Sequence, residues 1–168
     1  LVPEADRSVL EGFRASRDTV LRADLKQYRY VHFATHGLVD SRYPALSALA
    51  LSQFDQHGNA LAGFLRLDDL YKLDLNADLV VLSACDTALG REIRGEGLVG
   101  LTQAFLYAGT KGLVLSLWEV SDSATAVFMT RFYEQMIKNG APAAEALRTA
   151  QLSMAAERRG RRASSRGS

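Results

Sequence analysis

The chain has 168 residues, of which 48% are hydrophobic and 23% charged, with a formal net charge of +1. That is the make-up of one soluble globular domain with an ordinary core, and with no apolar run approaching the roughly 18 residues that span a bilayer it excludes a membrane segment. A lone cysteine excludes an internal disulfide and points to a reducing, cytoplasmic setting.

The opening LVPEADRS carries no basic stretch followed by an apolar one, so no signal peptide is expected there. Arg7–Asp24 is polar with Val9, Leu10, Phe13, Val20 and Leu21 interspersed. It predicts one or two amphipathic helical pieces, with Ser8 or Asp18 as starts. Tyr28–Thr35 is β-branched and aromatic and predicts a strand that Gly37 ends. Ala48–Phe54 and Ala60–Leu65 flank the turn formers DQHGN and predict a hairpin. Leu67–Leu75 predicts a short helix that then breaks, and Leu79–Ala84 is a continuous apolar run of the kind found in a buried parallel strand. Leu98–Ala108 has helical spacing with Gly109 as its stop. Lys111–Trp118 predicts another strand, Ser121 or Asp122 opens a helix to about Lys138, and Pro142 opens a last helix to Glu157. Strands alternating with helices predict an α/β fold with a mainly parallel sheet, in which ligands sit at the carboxyl ends of the strands.

Five arginines against one glutamate fall in Glu157–Ser168, leaving the rest of the chain mildly acidic. Residues 1–156 are therefore read as the folded domain and 157–168 as a basic, disordered tail. A nucleic-acid partner is not expected, because it requires a basic face on the fold itself.

Three residues of chemical interest lie just past predicted strands: His36, Cys85 and Glu119. A thiolate that attacks a carbonyl needs an imidazole to take its proton and later protonate the leaving amine. Cys85 precedes a loop and helix, where backbone N–H groups favour the thiolate, and the N–H groups of Gly37 and Cys85 are candidate oxyanion donors. The alternative for Cys85 is a buried structural thiol. His32 stands four residues before His36, but in a strand that spacing separates the two by about 13 Å, too far for one metal ion. His32 is read as a strand histidine packed beside the site, and His57 lies in the hairpin turn. No metal is expected. Gly95–Gly100 matches G-x-G-x-x-G with Glu119 downstream, a dinucleotide fingerprint on paper. Its glycines do not follow directly on a strand, as that motif demands. Asp86, Glu119 and Asp122 are candidates to line a pocket for a basic side chain, and Asp122 is equally suited to cap its helix. No G-x-S-x-G elbow, Walker lysine motif or CxxC pair is present.

The stretches HFATHG (His32–Gly37), LSACDTALG (Leu82–Gly90), GEGLVGLTQAFLYAGTKGLVLSLWEVSDSAT (Gly95–Thr125) and ALRTAQLSM (Ala146–Met154) resemble the CHAT domain. This is a caspase-like family related to separase and metacaspases, and the stretches stand here in the family's order. The resemblance implies a caspase-hemoglobinase-like three-layer sandwich, with a mainly parallel sheet flanked by helices. It also implies a cysteine endopeptidase with His36 as the base and Cys85 as the nucleophile, acting on a protein substrate without a cofactor. In similar proteins such as separase, an acidic residue in the stretch matching WEVSD helps to bind arginine at the cleavage site. That falls on Asp122, with Glu119 second. The family's usual aromatic-rich final strand is replaced by RRGRRASSRGS, so a sheet one strand short is expected, as is the absence of the family's N-terminal part. A tetratricopeptide-repeat region is the expected regulatory neighbour. A non-catalytic interaction module and a dinucleotide-binding domain are the alternative functions.

Overall fold

In the computed structural model, residues 1–40, 42–83, 96–116 and 122–164 are described, with backbone only for 96, 97, 122, 158 and 160–164. They fall into two compact units, Val9–Glu119 and Leu1–Ser8 with Val120–Ser168.

The first unit is built on a parallel sheet of β1 (Tyr30–Phe33), β5 (Leu79–Leu82) and β6 (Leu113–Leu115), in the order β1-β5-β6. The central strand, Leu-Val-Val-Leu, is buried at every position, as a continuous apolar run requires of a strand covered on both faces. Its register pairs Phe33 with Leu82 and Leu82 with Leu115, so all three strands end at one level. Helix α3 (Glu96–Tyr107) belongs to the same core, with the Phe105 ring 5.7 Å from that of Phe33. A Cβ on Gly100 would come 3.2 Å from Leu67 of α2 (Leu67–Leu70), so this glycine lets α3 pack closely. Gly109 stops α3 at φ +106°, where a side chain would run into the Leu75 carbonyl.

A second, antiparallel sheet has the order β2-β3-β4: Gly37–Leu38, Ala48–Ala50 and Phe64–Arg66. The β3–β4 hairpin is the expected one. Its turn closes on the Asp55 carboxylate, which accepts the N–H groups of His57 (2.8 Å) and Asn59 (2.9 Å), while Gly58 takes φ +81°. Gly37 differs from expectation. It opens β2 instead of ending a strand, because the chain pairs with β3 at once.

The N-terminal helix, α1 (Arg17–Arg22), is capped by Ser16, whose hydroxyl accepts the Thr19 N–H at 3.2 Å. Ser8 and Asp18 do not open it. Ser16 wins because its side-chain oxygen satisfies an otherwise unpaired amide of the first turn. Arg17 then forks onto Asp69 of α2, with Nε donating at 2.8 Å, and the Asp69 carboxylate also accepts the Arg66 N–H at 3.2 Å. Asp69 is 1% exposed, and the Arg17 guanidinium holds its pKa below the usual carboxylate range.

In the second unit, α4 (Asp122–Tyr133) widens into a π-helical turn, Glu134–Lys138, and Gly140 at φ +67° leads to α5 (Ala143–Ser164). Phe132, Ala146 and Ala150 are buried, and Arg131 of α4 donates to Ser153 of α5 at 3.0 Å. Helix α5 continues past the Glu157 boundary read from composition, through a run rich in arginine, a strong helix former. No strand follows α4 among the described residues.

Candidate active site

Because β1, β5 and β6 are parallel and end in register, their carboxyl ends form one edge of the sheet. The chain leaves that edge through Ala34, Ser83 and Ser116.

His36 lies three residues past the end of β1, and its side chain is exposed. Its backbone is held on both sides. The Thr35 hydroxyl donates to the Ala50 carbonyl, the Ala50 N–H donates to the His36 carbonyl at 2.8 Å, and Gly37 pairs with Leu49. The second sheet thus anchors the segment that carries the histidine. Antiparallel partners alternate between hydrogen-bonded and non-bonded pairs. With His36 and Ala50 bonded, Gly37 is a non-bonded position, and its N–H is turned away from β3.

His32 projects from the face of β1 opposite Phe33, since strand side chains alternate. Its Nε2 lies 2.6 Å from the hydroxyl of Ser83, the first residue past β5. The Ser83 N–H donates to the Phe33 carbonyl at 3.1 Å, so Ser83 is tied to β1 by both backbone and side chain. Averaged over the whole residue His32 is exposed, yet its imidazole is crowded by neighbouring atoms. The crowding governs the proton, because it surrounds the titrating nitrogens: burial lowers the pKa and favours the neutral ring.

Sequence reasoning placed His32 beside the site but missed Ser83 and Thr35. Ser83 becomes visible only once the register sets Val81 opposite His32, which puts Ser83 on the same face one step further along.

Cys85, Asp86 and Glu119 lie outside the described residues. So does the side chain of Asp122, which is the first residue of α4 in the other unit. His57 is in the hairpin turn, with its Nε2 3.1 Å from Gln56 Nε2. Of the glycine fingerprint, Gly97 and Gly100 lie within α3, which opens at Glu96 well beyond the end of β5 at Leu82. The role visible for Gly100 is helix packing. Among the described residues no group of three or more His, Cys, Asp or Glu is arranged to hold a metal ion, and no helix is long and apolar enough to cross a membrane.

A mixed α/β core, with a parallel sheet and a histidine beyond the carboxyl end of its first strand, is the architecture of a caspase-like domain. The CHAT-domain family model matches residues 1–166, and the chain belongs to that family. The chain is also similar to tetratricopeptide repeat protein 28 of Mus musculus, 40% identical over 90 residues that cover 52% of this chain and 4% of that protein. The Homo sapiens protein of the same name is 35% identical over 79 residues, 47% of this chain and 3% of its own length. The chain therefore spans a few per cent of the length of the curated relatives it matches.

Proposed function

We propose that this chain is a cysteine endopeptidase of the CHAT type. The observation that carries the reading is the anchoring of His36 at the carboxyl edge of the parallel sheet, the same edge from which β5 runs on toward Cys85 two residues after Ser83. Family membership supports it.

In this reading the Cys85 thiolate attacks the scissile carbonyl, and the electron pair of the C=O bond moves onto oxygen. The backbone N–H groups of Gly37 and Cys85 hold that oxyanion, and the outward turn of the Gly37 N–H suits the task. Collapse expels the amine, which takes a proton from the His36 imidazolium and leaves a thioester. His36 then removes a proton from water, and the hydroxide releases the acid and restores the thiol. Asp86 and Glu119 shape the pocket for the residue before the cut and give a preference for arginine or lysine. The substrate is a cytoplasmic protein. The tetratricopeptide repeats for which the relatives are named are the pattern for a regulatory neighbour in the full-length protein.

The test is hydrolysis of an arginyl fluorogenic peptide by the wild-type chain and by Cys85→Ala. Turnover that vanishes in the variant supports the reading. Equal turnover in both would sink the mechanism, and no turnover by either would favour a non-catalytic interaction module.

A further inference from the structure

We infer that His32 and Ser83 form a positioning pair that sets the exit of β5, and with it the start of the step to Cys85, against the exit of β1 that carries His36. The inference deepens the peptidase reading and rests on it for its functional meaning.

Three observations carry it. The side chains share a hydrogen bond of 2.6 Å across two neighbouring strands, 51 residues apart in the chain. The backbone repeats the tie, with the Ser83 N–H on the Phe33 carbonyl at 3.1 Å. Both contacts join the last two residues of β1, His32 and Phe33, to Ser83, one step past the last register pair, Phe33 with Leu82. A link needed only to hold the sheet together gains nothing from that location, since β1 and β5 are already paired along their whole length. A link needed to fix where two chain exits stand relative to each other belongs there.

The neutral imidazole suits this role. With Nε2 unprotonated, the Ser83 hydroxyl donates to it, and no charge is placed beside the site. Neither residue touches the reacting bond. His32 and Ser83 are positioning residues, and they act through the separation of the nucleophile and its base. That separation tolerates little change, because a displacement of about 1 Å costs on the order of 10²-fold in rate.

The experiment uses the full chain with Ser83→Ala, Ser83→Thr, His32→Phe and His32→Gln, each compared below its own melting temperature. Two rates are measured: alkylation of the single cysteine by iodoacetamide at neutral pH, read by intact mass, and turnover of the arginyl peptide. Ser83→Ala and His32→Phe are expected to slow alkylation about tenfold and to lower kcat with little change in KM. Ser83→Thr, which keeps the hydroxyl, and His32→Gln, which keeps an acceptor at similar reach, should restore at least half of the loss. A folded Ser83→Ala chain whose cysteine reacts at the wild-type rate would overturn the inference, even if peptide turnover is robust. The graded alkylation pattern without turnover in any chain would uphold the positioning role and remove the peptidase reading. The two failures are thereby distinguishable.

Discussion

The two edges of the parallel sheet are made from the same three strands and from opposite chemistry. At the amino edge, Asp78 takes hydrogen bonds from Arg29 (2.8 Å) and Lys111 (2.7 Å), and the Arg29 guanidinium also lies 5.5 Å over the Tyr30 ring. At the carboxyl edge, a side-chain tie among the described residues is the hydrogen bond between a neutral-favouring imidazole and a hydroxyl. Exposed ion pairs contribute little and are screened by salt, so the charged pairs at the amino edge add little to stability. The carboxyl-edge tie supplies position without itself adding a fixed charge where a thiolate and an oxyanion would develop. The contrast sets ion pairs of little consequence at one edge against a positioning tie at the other.

The largest expected effect belongs to the carboxyl edge. His36→Ala should lower peptide turnover about 10³-fold, the scale of removing a general acid–base. Next comes a change away from both edges. Asp69→Ala leaves the Arg17 guanidinium without its buried carboxylate and should cost about 3 kcal/mol in urea unfolding. The Asp69 pKa is depressed in the folded chain. Its contribution is therefore fully present above the unfolded value of about 4 and is lost as pH falls through the folded value. The stability gap between wild type and variant should narrow on acidification in that window. A gap that widens would contradict the ion pair.

Third is Thr35→Val, which removes the hydroxyl that donates to the Ala50 carbonyl. It should lower kcat about tenfold by loosening the segment that holds His36, with Thr35→Ser recovering most of it. The smallest effect belongs to the amino edge. Asp78→Asn should leave turnover and the melting temperature at physiological salt indistinguishable from wild type. A loss of turnover there as large as that of Thr35→Val would erase the distinction between the edges.

The elements were legible in the sequence where local pattern decides them. The apolar run at Leu79, the hairpin around DQHGN and the stop at Gly109 each depend on a few consecutive residues, and each is found. What was not legible depends on pairing. Nothing local shows that β5 lies between β1 and β6, that Gly37 joins a second sheet, or that Arg17 meets Asp69 from 52 residues away. The site divides in the same way. His36 was readable as a polar residue at the end of a strand beside a glycine. Thr35 and Ser83 were not, because their roles come from Ala50 and His32, which only the sheet register brings to them. Cys85 was readable from its place after the buried strand, and its role is proposed from family membership and from that place in the chain.

The central claim is that His36 activates Cys85. Its most direct measurement is the pH dependence of iodoacetamide alkylation of the single cysteine, in the wild-type chain and in His36→Ala. The account predicts a wild-type inflection well below the value of about 8.5 ordinary for a free thiol, and its return toward that value in the variant. Superimposable profiles in the two chains would contradict it.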